Sequence, residues 1–394
     1  MLLLRKLQNQ ISIILIFVSN NFLPFPQTKA LMKSYQEKAT LILEDGTTFT
    51  GYSFGYIGKT EGEVVFNTGM VGYPETLTDP SYAGQILVAT YPLIGNYGVP
   101  PKTLMNDLLL NYESDKIQAK ALIVSDYSFH YSHWNADRSL GEWMEEEKIP
   151  GIFGIDTRAL TRKLRSSGTM LGWIIPGDKM TEDDLNRKIV DPNKTDLVGS
   201  VSVKEVVEYH SGKKKIVLVD CGVKNNIIRA FQGRDITVIR VPYDYDFASI
   251  ECDGIMLSNG PGDPKMCQAT VENTKKAMEE GIPTLGICLG SQILGLAAGM
   301  DTYKLKYGHR SHNQPVNEAG THRSYITSQN HGYAVDSSTL PLDWREWFTN
   351  DNDGTNEGVI HIAKPFFGTQ FHPEASPGPD DTEFIFDMFV RALR

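Results

Sequence analysis

One cysteine in this chain stands between two glycines, where an apolar strand-like run gives way to a helix-like one: Cys288 in "PTLGICLGSQILGLAAG". The pattern G-x-C-x-G is the thiol counterpart of a nucleophile elbow. A tight strand-to-helix turn brings backbone so close that only glycine fits on either side, here Gly286 and Gly290. The turn lifts the sulfur clear of the sheet edge and aims a helix N-terminus at it, which favours the thiolate. The amide of Leu289 is then free to face a developing oxyanion. Gly and Cys also populate ordinary buried strand ends, so the pattern alone fits a structural thiol equally well.

A sulfur nucleophile needs a base, and the base needs an orienting group. Of nine histidines, His372 in "GTQFHPEAS" ends an apolar strand-like run and has a carboxylate, Glu374, two residues on. In extended chain i and i+2 share a face, and Pro373 stiffens the link. A third piece, "LSNGPGDP" at 257–264, sets Gly260 and Gly262 around Pro261 at a strand end. Its amides can point into a cleft and supply a second oxyanion donor; read blandly, it is a Pro-Gly turn.

The elements that must hold these residues follow a regular rhythm after Lys213. "KIVLVD", "DITVIRVP", "DGIMLSNG" and "IPTLGIC" read as strands, and "KNNIIRAFQ", "TVENTKKAMEEG" and "GSQILGLAAG" as helices. Such alternation predicts a mostly parallel sheet flanked by helices. Cys288 and "SNGPGDP" then lie at carboxyl ends of strands, where ligands collect in such sheets. The front half reads differently. "ATLILEDGTTFTGYSFG" is strand, Asp45-Gly46 turn, strand, and "GEVVFNTGM", "QILVATYP" and "AKALIVSDYS" add more. Helices follow at 140–147 and from a cap at Asp156 or Thr157 to a stop at Gly168. The expected class is α/β: a β-rich N-terminal domain with a few helices at 35–185, a connecting region at 186–212, and the sheet-and-helix domain at 213–394. Residues 1–34 read as a tail or a mis-assigned start. Their apolar run from Ile11 to Val18 resembles a weak signal peptide but is too short to span a bilayer. Folding is expected to begin near Met32.

Composition excludes some classes. With 41% hydrophobic and 22% charged residues, net charge -10 and pI near 5.4, the chain is expected to be globular, cytoplasmic and free of nucleic-acid and membrane partners. Four cysteines without a CxxC read as reduced thiols. His309 and His312 form an H-x-x-H with no further ligand at metal-site spacing, so no metal is expected. "GYIGKT" at 55–60 ends like a phosphate loop, but Ser53 stands where the first glycine is required and a hairpin precedes it. No nucleotide site is expected in this chain.

In this order, "GICLGSQ", "SNGPGDP" and "HPE" resemble the class I, triad-type glutamine amidotransferases. "EVVFNTGMVGYPETLTDPSYAGQILVATYPLIGNYG", "GIDTRALTRKLR" and "SQNHGYAVD" are similar to the small, glutamine-hydrolysing subunit of carbamoyl-phosphate synthase. The likeness runs from about Ala39 to Arg394. It implies that Cys288, His372 and Glu374 are catalytic, and that the amides of Gly260 and Leu289 form an oxyanion hole. It implies glutamine contacts from Ser81, Gly260, Gly262, Leu289, Gln292, Asn330, Gly332 and Tyr333, with His331 lining the pocket. Tyr333 replaces a more usual Phe, and Arg310 and Ser311 stand where two glycines are commoner, leaving that loop's contacts open. The resemblance further implies L-glutamine as substrate and no cofactor in this chain. ATP and Mg2+ would act on a large subunit, which also binds bicarbonate, in a heterodimer or higher-order heteromer. Arginine and pyrimidine synthesis both remain open as the pathway served. The alternatives are a non-catalytic scaffold of the same complex, the glutaminase of another synthase, and a stand-alone γ-glutamyl hydrolase; the front domain argues against the last two.

Overall fold

Strand Lys214–Asp220 shows how the second half builds its core. Ile216 and Leu218 face one way, toward Ile227, Phe231, Phe386 and Phe389, while Val217 and Val219 face the other, toward Ala277, Ile293 and Leu294. A strand buried on both faces must be apolar at successive positions, and "IVLV" is. The computed structural model describes residues 37–177, 181–185 and 187–394. The run Ile11–Val18 and the expected start near Met32 lie outside them.

In the first half, seven strands close into a barrel: β1 (Lys38–Leu43), β2 (Thr48–Gly55), β3 (Thr60–Asn67), β4 (Gln85–Ala89), β5 (Ala121–Ile123), β6 (Pro150–Phe153) and β7 (Met170–Pro176). Their order around the barrel is β1-β7-β3-β4-β5-β6-β2. Leu41, Val64, Ile86, Val88, Ile123 and Ile152 fill it, closed on one side by Leu160 and Leu164. Those two leucines belong to the helix Thr157–Ser167, which Asp156 caps by accepting from the Ala159 amide at 2.8 Å and which stops at Gly168. The cap left open between Asp156 and Thr157 thus falls to the carboxylate.

The second half is a ten-stranded sheet. Its parallel core has the order β10 (Ile236–Pro242), β9 (Lys214–Asp220), β11 (Gly254–Leu257), β12 (Thr284–Ile287), β17 (Phe366–Thr369). Short β8 (Val207–Tyr209) adds antiparallel to β10. Beyond β17 the sheet continues antiparallel through β16 (Asn356–His361), β15 (Trp344–Asn350), β13 (Thr302–Glu318) and β14 (Ser324–Val335). Helices α1 (Asn225–Gln232), α2 (Gln268–Glu279), α3 (Leu289–Ala297) and α4 (Phe384–Ala392) cover its faces. "GYIGKT" bridges β2 and β3 with no helix after it, and Lys59 pairs with Asp184 at 3.1 Å. Among the described residues no helix is long and apolar enough to cross a membrane.

From Lys38 onward the chain is one compact unit. The long ribbon β13–β14 reaches the barrel, where the Thr68 amide donates to the Arg310 carbonyl at 3.1 Å and the Thr169 amide to Lys306 at 2.9 Å. Glu113, fully buried, ties the front half to the sheet domain: it accepts from Arg229 Nη2 at 2.9 Å, the Asn226 amide at 2.9 Å and Ser376 Oγ at 2.8 Å. Removing one partner of a buried ion pair leaves the other charge uncompensated. Glu113→Ala is therefore expected to cost about 3–5 kcal/mol in denaturant unfolding with little change in slope. A loss below about 1 kcal/mol would show that the staple is dispensable.

Candidate functional site

Cys288 ends β12 and caps α3 with φ 54° and ψ -106°, a backbone conformation that non-glycine residues rarely adopt. The strain is locked in by neighbours. A Cβ on Gly286 would run into the Gly290 carbonyl, and one on Gly290 into the Leu257 carbonyl. The Cys288 amide donates to Thr369 O at 2.8 Å and its carbonyl accepts from Ser291 and Gln292, so the elbow is pinned on both sides. The buried sulfur lies 3.6 Å from the Asn330 carbonyl and 3.7 Å from Gln370 Nε2. Leu289 is the first helical residue, and its amide has no intrahelical acceptor. Gly260 packs beside it: a Cβ there would meet the Leu289 side chain and the Cys221 carbonyl.

His372 and Glu374 are joined by a short hydrogen bond, Nδ1 to Oε1 at 2.6 Å. The route differs from the expected extended chain. His372 makes one bridge to Ser328, then the chain turns at once, with the Ala375 amide donating to the His372 carbonyl at 3.1 Å. Pro373 suits a turn better than a strand interior because it has no amide to give a ladder. Both residues are buried, and the Glu374 carboxylate also meets Lys224 Nζ at 3.2 Å. Lys224 is itself buried and donates to the Ala375 carbonyl.

The electrostatics follow from this enclosure. Burial opposes charge on Glu374, yet Lys224 and His372 outweigh it and hold its carboxyl down at about 2. Burial likewise opposes charge on His372, but Glu374 and the Cys288 sulfur raise it to about 10. His372 Nε2, the nitrogen opposite the Glu374 contact, makes no close hydrogen bond among the described residues, and the Cys288 sulfur is near enough to raise the ring. The other three cysteines are also free thiols; burial pushes all of them up, Cys267 to about 12.

The cleft in front of Cys288 encloses about 470 Å3, part of it open to solvent. The structure brings Ser81, Gly260, Gly262, Leu289, Gln292, Asn330, Gly332 and Tyr333 together around it, with His331 beside them. His372 and Glu374 do not line this cleft, and His372 lines a second, smaller cavity that shares Asn330 with it. Sequence reasoning missed the residues that hold this wall. Asp79 takes the Ser81 amide at 2.9 Å on one oxygen and Asn330 Nδ2 at 2.8 Å on the other, and Asn259 reaches Ser81 Oγ at 2.9 Å. Gln370 Oε1 accepts from Gln292 Nε2 at 3.0 Å. The i, i+2 rule that selected Glu374 would have found Gln370, two residues before His372; nothing local distinguishes Lys224.

His309 and His312 part company. His309 Nδ1 and His331 Nε2 both approach the buried Glu357 Oε1, at 3.1 and 3.6 Å. These three offer ligand atoms within 4.8 Å of one another, but Asn350 Nδ2 also donates to that oxygen at 3.1 Å, and the contacts are those of a hydrogen-bonded relay. His312 lies toward Gly69 and the second cavity, where burial, then Lys224, lowers it to about 4.

The buried triad predicts a pH signature. A depressed carboxyl stabilises the fold above its unfolded value, and that contribution is lost as pH falls toward about 2. A raised imidazole stabilises below its unfolded value, and that contribution is lost as pH rises through about 10. Glu374→Gln should therefore be less stable by roughly 3 kcal/mol near pH 5–6, with the deficit narrowing as pH rises toward 10. Denaturant unfolding of both chains across that range checks this, and a pH-independent deficit would overturn it.

Two families match consecutive parts of the chain: "Carbamoyl-phosphate synthase small chain, CPSase domain" over residues 41–174, and "Glutamine amidotransferase class-I" over residues 217–392. Among similar proteins are the multifunctional protein CAD of Squalus acanthias, 53% identical over 360 residues, and the multifunctional protein pyr1-3 of Dictyostelium discoideum, 47% identical over 377. Each alignment covers 90% of this chain but 16% and 17% of those proteins. The mitochondrial carbamoyl-phosphate synthase [ammonia] of Mus musculus is 47% identical over 369 residues, covering 92% of this chain and 24% of that one. The chain thus spans a sixth to a quarter of these relatives. Barrel, elbow and matches together place it in the carbamoyl-phosphate synthase small-chain family, with a class-I glutamine amidotransferase domain as its second half.

Proposed function

We propose that the chain is the glutaminase component of a carbamoyl-phosphate synthase, hydrolysing L-glutamine to glutamate and ammonia. The observation that carries this reading is Cys288, strained onto a helix N-terminus, together with a buried His372–Glu374–Lys224 chain of contacts. In the proposed reaction the sulfur attacks the side-chain amide carbon of glutamine with its proton already held on His372 Nε2, in keeping with the raised imidazole. Charge gathers on the amide oxygen, opposite the amides of Leu289 and Gly260. The C–N bond then breaks as His372 returns the proton to the departing ammonia, leaving a γ-glutamyl thioester. His372 next takes a proton from water, hydroxide adds to the thioester, and glutamate leaves as the thiol is restored. Glu374 keeps the imidazole oriented throughout. Ser81, Gly262, Gln292, Asn330, Gly332 and Tyr333 hold the substrate.

Ammonia becomes ammonium in water near neutral pH and is then no nucleophile, so the product is useful only along a sheltered path. The second cavity, lined by His372, Asn67, Glu75, Asp79, His312 and Ser376 and sharing Asn330 with the substrate cleft, supports such a path. The consumer would be a large synthase component carrying the ATP, Mg2+ and bicarbonate chemistry, as a separate subunit or on a longer polypeptide like those of the relatives.

The test is glutamate release from glutamine by the chain and by Cys288→Ala, each with and without the large component. The parent should release glutamate faster when the partner is added, and Cys288→Ala should lose at least about 1000-fold, with ammonia-dependent synthesis retained. His372→Asn should slow acylation and deacylation alike, and Glu374→Ala should cost less. No glutamate from a parent chain bound to an active partner would leave only a scaffold.

A further inference from the structure

Arg310 is the residue of the cleft that this reaction does not use. It sits on β13 directly across the ladder from Asn330, whose carbonyl touches the Cys288 sulfur at 3.6 Å. The residue is 5% exposed and lines the substrate cleft. The guanidinium lies against two glycines: a Cβ on Gly308 would collide with Nη1, and one on Gly332 would come to 3.4 Å from Nη2. Nη1 donates to the Tyr307 carbonyl at 2.8 Å, while the buried Nε has no partner among the described residues.

Charge in the cleft is unbalanced around it. Glu63 is buried and committed elsewhere, taking Lys304 Nζ at 2.7 Å and Thr169 Oγ1 at 2.9 Å on one oxygen and Gln85 Nε2 at 3.0 Å on the other. Lys304 is thereby neutralised, and Arg310 has no ion pair among the described residues. Burial holds the guanidinium below its ordinary value, with Glu63 acting against that from a distance. A buried charged fork with a donor unpaired and no counter-ion is costly, and the cost is reduced by an anion that reaches it. The substrate brings one. With its side-chain amide at Cys288, an extended glutamine places its α-carboxylate roughly 5 Å further along the cleft.

We infer that Arg310 is a specificity-determining residue whose guanidinium receives the α-carboxylate of glutamine, so that the site selects a free α-amino acid over other primary amides. This rests on the glutaminase reading but can fail separately from it. The experiment compares L-glutamine with L-glutaminamide, whose α-carboxamide carries no negative charge, in the parent chain, R310Q and R310K. In the parent, kcat/KM should favour glutamine by roughly 30-fold or more. R310Q should raise KM for glutamine by about that factor and leave kcat/KM for glutaminamide within about threefold, collapsing the preference. R310K, a point charge without the fork, should keep part of it.

Equal losses for both substrates would make Arg310 a latch between barrel and sheet and overturn the inference. A fall in kcat for both with KM unchanged would place it on the reacting charge and overturn it too. Calorimetric binding of the two ligands to Cys288→Ala, with and without R310Q, reads the same preference without turnover. A parent chain that releases no glutamate but shows this binding preference would sink the glutaminase reading and keep the inference. The absence of any preference in the parent would do the opposite.

Discussion

Keeping a carboxylate ionised out of reach of water is the constraint on which the rest of the site depends. Glu374 is buried, and its charge survives because His372 and Lys224 converge on one of its oxygens. Without the lysine, burial would favour the neutral acid, and a neutral acid would no longer hold the imidazole so strongly. Lys224 is itself buried and is placed by its own backbone: its amide donates to Asn259 Oδ1 at 3.0 Å, and it caps α1. Asn259 also reaches Ser81 on the front half. The imidazole, its partner carboxylate, the counter-cation and one wall of the cleft therefore stand or fall together.

This coupling explains why the barrel and the sheet are one unit and not two beads on a string. Asp79 spans Ser81 and Asn330; Glu113 spans Arg229 and Ser376. Both carboxylates come from loops of the front half, and both end on segments that carry cleft or triad residues. A class-I amidotransferase domain alone would present Cys288 and His372 but would lack Ser81, Glu63 and the anchor for Asn330.

What could be read from sequence was what local geometry dictates. Gly286 and Gly290 advertise the elbow because no other residue fits there, and Asp156 and Gly168 mark helix ends by their own chemistry. The strands of the parallel core are legible because burial on both faces demands unbroken apolar runs. The ribbon β13–β14 was not, because "TYKLKYGHRSHNQPVNE" carries histidines, Arg310 and Ser311 where a strand pattern would show alternation. Those side chains are buried between layers against partners that are distant in sequence, such as Glu357. Lys224 reads as a solvated lysine for the same reason, since its counter-charge is Glu374, far along the chain. The turn at Pro373 defeated the extended-chain argument while keeping its result, because a tight turn also brings i and i+2 together.

The uneven environments of the four sulfurs make this protein chemically addressable. Cys221 and Cys267 are buried in the core, and Cys252, half-buried, is held in its protonated form as they are. Cys288 alone among them lines the solvent-connected cleft. A small electrophile admitted by that opening meets Cys288, so the cleft carries its own titrant. Modification located at Cys288, with the other three sulfurs left unmodified, would count the fraction of chains whose elbow, cleft and wall are correctly assembled, without reference to turnover.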